Sequence, residues 1–205
     1  MLDKLTALRE RAIFHVTGTH PAAYYIADRD AGGVLVNAPP FGEPLLAALS
    51  EFAAPAYLFL PSRRGARDLE RWRTAARVET IAFEAEAPHV EGTIDLAVAG
   101  GRKLTRTIDF LPMSGVTVGS CALRIKNDGG AIFFGPVLEP GPDGWPMLVP
   151  HADDCSSENR LIGALGLQDQ RFEYAFTDVF EPGRTRFGPG AGEAVLARLR
   201  RILER

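Results

Sequence analysis

At 205 residues, with 46% hydrophobic and 24% charged side chains, the chain has the composition of an ordinary globular protein. A chain this long buries about 70% of the surface its unfolded form exposes, so it needs no disulfide or metal staple. Its net charge of −3 argues against a polyanionic partner, and no apolar stretch approaches the ~20 residues of a membrane span.

In chain order, Met1 to Glu10 is charged and helical in pattern, unlike a signal peptide. Ala22 to Ala27 and Gly33 to Asn37 read as strands of a hairpin joined by the turn residues 28–32. Glu43 to Glu51 places Leu45, Leu46 and Leu49 at helical spacing. Ala56 to Leu60 is a continuous apolar run, as in a strand covered on both faces. A helix over Arg67 to Arg77 and a strand over Val78 to Phe83 follow. The second half is richer in strands, with candidates at Thr93 to Ala97, Thr105 to Phe110, Ser120 to Lys126 and Ala131 to Phe134. Asn127-Asp128-Gly129-Gly130 supplies the hairpin turn between the last two. Pro136 to Pro150 is a Pro- and Gly-rich loop. Ser156 or Ser157 caps a helix running to about Leu165. Tyr174 to Val179 is a strand, and Gly192 to Leu203 is the final helix. The basic residues at its end (Arg198, Arg200, Arg201, Arg205) alternate with apolar ones, as on the solvated face of an amphipathic helix. Two halves of strands followed by helices predict an α/β (α+β) fold with mixed sheets.

Chemistry-bearing clusters are few. Cys121 and Cys155 form no framework and no metal-ligand spacing, which suits reduced thiols in a cytoplasmic protein. His151-Ala-Asp-Asp-Cys155 is the one compact group of reactive types. It reads either as a nucleophile and base or, more ordinarily, as a helix cap (Asp153 or Asp154), a small buried thiol and a loop histidine. His15, His20 and His89 are scattered.

The order of motifs resembles the metallo-β-lactamase superfamily, its small hydrolase branch above all, over nearly the whole chain. The opening Tyr24 to Phe41 is similar to the family's first hairpin, with Asn37 where an aspartate is usual. After the strand Tyr57 to Leu60 the family carries His-x-His-x-Asp-His or a slightly longer version. Here Ser62 stands for the first histidine, Arg64 for the next ligand, Asp68 is retained, and Leu69 replaces the histidine after it. Ser114 to Ser120 resembles Pro-Gly-His-Thr-x-Gly-Ser with Val116 for histidine. Phe133 to Pro136 resembles Phe-x-Gly-Asp with Pro136 for the bridging aspartate. Glu181 to Arg184 resembles the closing Pro-Gly-His with Arg184 for histidine. The framework residues Gly115, Thr117, Gly119, Ser120, Gly135, Pro182 and Gly183 remain.

The resemblance implies a single domain over 1–205, a four-layer αββα sandwich of two mixed sheets flanked by helices. It also implies a pseudoenzyme with no metal and no other cofactor, since Leu69, Val116 and Pro136 offer no donor atom and an arginine has no lone pair to give. Ser62, Arg64, Asp68 and Arg184 are then the candidate ligand-binding residues, for a small anionic ligand that guanidinium groups can clasp. The plainer alternative is that the arginines fill space and pair with Asp68, Glu70 or Glu181. A second class of function is an enzyme of changed chemistry using Asp68, His151 or Cys155. No nucleic acid or membrane partner is expected, and a homodimer stays open.

Overall fold

The computed structural model describes residues 1–204; Arg205, the last of the basic run, lies outside the described residues. The chain divides into two compact units, residues 1–99 and 100–205.

The first unit is built on a seven-stranded sheet whose spatial order follows the sequence. Its strands are β1 (Leu2–Leu8), β2 (Arg11–Val16), β3 (Ala23–Asp28), β4 (Gly32–Val36), β5 (Pro55–Leu60), β6 (Glu79–Phe83) and β7 (Leu96–Val98). The first four pair antiparallel, and β4 to β7 run parallel. Parallel neighbours need crossovers. Helix α1 (Glu43–Ser50) makes the first, with Pro44 in its opening turn and Leu49 fully buried.

The expected helix at Met1 to Glu10 is instead strand β1, paired with β2. A bulge between Lys4 and Thr6 breaks its register. The bulge shifts the inward positions so that Leu2, Leu5 and Leu8 recur every three residues, which reads as a helix although the backbone is extended. The strand β2 was also not anticipated.

The crossover from β5 to β6 departs from one continuous helix. It is a 3-10 turn at Arg63–Gly65, a single α turn α2 (Leu69–Arg71) and a wider π turn at Trp72–Ala76. Asp68 and Arg77, both left-handed, bracket the last two. Trp72 is fully buried and its indole N–H donates to the Pro39 carbonyl at 2.8 Å. It shares a core with Phe14, Tyr25, Leu35, Leu58 and Leu69. Gly33 lies so close to Tyr25 that a Cβ there would fall 1.9 Å from the phenol oxygen. Under the other face of the sheet a buried ion pair, Arg11 with Asp28 at 2.6 Å, fastens the β3–β4 turn, where Asp28 also accepts from the amides of Asp30 and Ala31.

The second unit holds a four-stranded sheet in the order β13–β10–β9–β8. These are β8 (Ile108–Pro112), β9 (Cys121–Ile125), β10 (Ala131–Gly135) and β13 (Tyr174–Thr177); β11 (Glu139–Pro140) and β12 (Pro146–Met147) form a small ribbon. β8, β9 and β10 are antiparallel, and β13 joins β10 in parallel. The expected turn at 127–130 connects β9 to β10, with Asp128, Gly129 and Gly130 all at positive φ. Helix α3 (Ser157–Leu165) is capped by Ser156, whose hydroxyl accepts from the Asn159 amide. Helix α4 (Ala191–Leu203) packs over β12 and β13. The core gathers Met113, Ile132, Phe134, Ala164, Phe172 and Val195. Among the described residues no helix is long and apolar enough to cross a membrane.

Candidate functional site

In the first unit the chain leaves β4 and β5 side by side, which sets the first group of expected site residues on adjacent loops. Asn37, just past β4, takes the left-handed conformation at φ 63°. Its amide Nδ2 donates to the Ala22 carbonyl at 2.8 Å, and its own N–H donates to Phe59. Gly65 packs against it so tightly that a Cβ would lie 1.9 Å from Oδ1. Asn37 is therefore a joint between two loops.

Past β5, Ser62 is completely buried and caps the 3-10 turn by accepting from the Arg64 amide at 3.3 Å. Arg64 is exposed. Asp68 is exposed in a left-handed conformation and accepts from the Phe41 amide at 2.9 Å, tying the loop after β4 to the start of α2. Leu69 belongs to the core beside Trp72. Nearby, Glu70 pairs with Arg73, which also grips Asp95. Hydrogen bonds from Arg73 and Thr80 hold the Asp95 carboxyl far below the usual carboxylate range.

In the second unit the Ser114–Ser120 loop curls back on itself. The Ser120 hydroxyl donates to the Met113 carbonyl at 2.9 Å, and Val116 is buried. The Val116 and Gly115 carbonyls accept from the amides of Cys155 and Ser156. Pro136 follows β10 and is buried, its carbonyl facing the Arg160 guanidinium at 3.4 Å. Arg184 is on an exposed turn and pairs with Glu181 at 2.7 Å, with side chains 81% and 54% exposed. That pairing is one the plainer reading of the arginines anticipates. Arg184 also lines a shallow depression of about 290 Å³ with Thr185, Arg186, Gly144 and Asp143.

The His151–Cys155 group keeps His151 on a loop, as the ordinary reading has it, but neither an aspartate cap nor a buried thiol. The helix cap is Ser156, and Cys155 is exposed, whereas Cys121 is the buried thiol. The Cys155 backbone amide donates to the Val116 carbonyl. Asp154 is used by Arg160 at 2.8 Å and by the His151 amide at 3.0 Å. His151 Nε2 lies 2.6 Å from the Glu139 carboxylate.

Arg160, which sequence reasoning passed over, is the polar centre of this region. It is 1% exposed and donates to the carbonyls of Pro136, Val137 and Val149 and to Asp154. A signal was present: Arg160 stands four residues before Ala164 and seven before Leu167, on the buried stripe of α3 and the turn after it.

As a set, the residues at the positions that resemble metal ligands do not fit a metal, Asp68 alone keeping a carboxylate. Leu69, Val116 and Pro136 are buried without a side-chain donor, and Arg64 and Arg184 offer only N–H groups. Among the described residues no three His, Cys, Asp or Glu side chains gather to hold one.

No family model matches the sequence, and no curated protein matches it. Solved structures do. A metallo-β-lactamase of Pontibacter korlensis superposes with a TM-score of 0.71 at 13% identity, covering 98% of this chain and 99% of its own. One of Cronobacter sakazakii, described by its HARLDQ motif, gives 0.67 at 11% identity over 94% and 90%. A subclass B3 enzyme of Bradyrhizobium japonicum gives 0.64 at 13% identity over 97% and 91%. With two mixed sheets, flanking helices and matches that span both units, the chain has the metallo-β-lactamase fold.

Proposed function

We propose that this chain is a metal-independent, non-hydrolytic protein of the metallo-β-lactamase fold that binds a small carboxylate- or phosphate-bearing ligand through its former ligand positions. One observation carries the reading: of the seven such positions only Asp68 keeps a carboxylate, Ser62 is buried as a loop cap, and the other five hold either a buried side chain with no donor atom or a cation. Leu69, Val116 and Pro136 are of the first kind, Arg64 and Arg184 of the second. Without a metal there is nothing to bring the pKa of a bound water toward ~7. Guanidinium groups supply the positive charge that remains.

The Cronobacter sakazakii protein sharpens the point. Its HARLDQ motif carries an arginine, yet it is called a metallo-β-lactamase. An arginine alone is therefore compatible with that name. This chain differs in lacking the histidine as well, with Ser62 buried as a cap and Leu69 in the core. Ser62 shapes the loop, Asp68 holds it through Phe41, and Arg64 and Arg184 carry the charge. Two cysteines without a disulfide suit a cytoplasmic setting.

The test has two arms. Protein purified with zinc, iron and manganese available is expected to carry well under one metal per chain by elemental analysis; near-stoichiometric metal lost in Asp68→Ala would overturn the reading. Calorimetric titration with inorganic phosphate and with a small dicarboxylate is expected to show binding weakened about tenfold by Arg64→Ala or Arg184→Ala, as for loss of one charge-assisted contact. No binding by the wild type to either probe would remove the anion site from the proposal.

A further inference from the structure

Arg160 is surrounded by oxygen. Its Nε and Nη2 donate to the Val137 carbonyl at 3.1 and 2.8 Å, and Nη2 also reaches the Pro136 carbonyl at 3.4 Å. Nη1 donates to the Val149 carbonyl at 2.6 Å and to both Asp154 oxygens at 3.1 and 2.8 Å. A fifth residue, Glu139, brings a carboxylate oxygen to 4.0 Å. Three main-chain carbonyls and two carboxylates form the donor set that hard cations select, and here it converges on a group that is 1% exposed.

The shell is braced from outside. The His151 amide donates to Asp154, and the His151 ring meets Glu139. Gly115, at φ 133°, lets the Ser114–Ser120 loop close onto the Arg160 backbone, where a Cβ would fall 2.5 Å from the Arg160 nitrogen. Two loops thus meet at the Arg160 charge and a third closes on its backbone. Two of the three carry Val116 and Pro136, the positions that resemble metal ligands.

We propose that the loops around residues 136–139 and 149–154 form an all-oxygen cation site that the chain fills with its own Arg160 guanidinium. The tethered cation holds these loops of the second unit in place and makes a bound ion unnecessary there. Carbonyls drawn together with their oxygens inward repel one another unless a cation sits among them, so the geometry depends on the charge as well as on the side chain's volume. The inference is independent of anion binding at Arg64 and Arg184.

Arg160→Ala removes the cation and leaves the shell. Its melting temperature is expected to fall by about 10 °C, the scale for stripping one partner from a buried ion pair in a chain of this size. Millimolar methylguanidinium chloride or calcium chloride is then expected to raise the melting temperature of the variant with concentration, beyond equal ionic strength of sodium chloride, while leaving the wild type unchanged. Rescue by either ion supports the site. A variant that melts like the wild type, or that neither ion rescues, overturns it. Should Arg160→Ala fail to fold, Arg160→Lys against Arg160→Met decides: the lysine variant is expected to melt higher, and a methionine variant equal to it or better means that volume, not charge, is what the loops require.

Discussion

Two ion pairs in the second unit have almost the same length and opposite surroundings. Arg160 meets Asp154 at 2.8 Å with both side chains 1% exposed; Arg184 meets Glu181 at 2.7 Å with 81% and 54% exposed. Water screens the second pair and solvates either partner when the other is gone, so it contributes little to stability. The first pair was taken out of water at a cost, and each partner, left alone, keeps that cost without its compensation. The lesson is that an arginine can meet a ligand only where solvent still reaches it. Arg184 qualifies and Arg160 does not.

The comparison breaks most readily at Asp154. Asp154→Ala leaves a buried guanidinium without its carboxylate and is expected to destabilise by about 3–5 kcal/mol in denaturant unfolding. A loss below about 1 kcal/mol, in the range of an exposed pair, would erase the distinction. Acid sharpens it. Burial pushes the Asp154 carboxyl up, but the His151 amide and the Arg160 guanidinium outweigh this and hold it below the ordinary carboxylate range. A depressed carboxylate contributes stability above its unfolded pKa of ~3.9 and loses it as pH falls through the folded value. The gap in melting temperature between wild type and Asp154→Asn should therefore be constant near neutrality and narrow below about pH 4. Asp109 works in the same sense, burial opposing and Arg124 and Lys126 prevailing, so the gap rather than the absolute curve is the readout.

Gly115→Ala is expected to cost about 1–3 kcal/mol, because its left-handed backbone and the Arg160 main chain leave no room for a methyl group. A neutral result in thermal melts would show the loop free to move away from α3. The smallest effect belongs to Glu181→Ala, expected within about 1 kcal/mol of wild type. It is informative in binding: removing this competitor should strengthen phosphate binding if Arg184 carries ligand charge, and leave it unchanged if Arg184 only decorates the turn.

Much of this was legible in the sequence where one residue type decides. The 127–130 turn, the Ser156 cap and the strands β3, β4 and β5 follow from local chemistry. That Leu69, Val116 and Pro136 carry no donor atom was equally plain, since it holds whatever the fold does. What escaped was set by register and by distance along the chain. The bulge in β1 disguised a strand as a helix. Asp68 and Arg77, in left-handed conformations, cut the crossover into short turns around Trp72. Arg160 was missed because its partners lie 6 to 24 residues away and three of the four are carbonyls, which no side-chain pattern records.

The irregular first strand has one further consequence. A sheet grows from its margins, and a long flat margin invites a neighbouring chain to add itself. At one end of the strand order β1 presents a bulge beside the exposed charges Asp3 and Lys4; at the other, β7 is only three residues long. Neither margin offers the uninterrupted backbone ladder on which strand-by-strand aggregation is templated, so the feature that makes the opening residues hard to read also guards the chain against polymerising through its largest sheet.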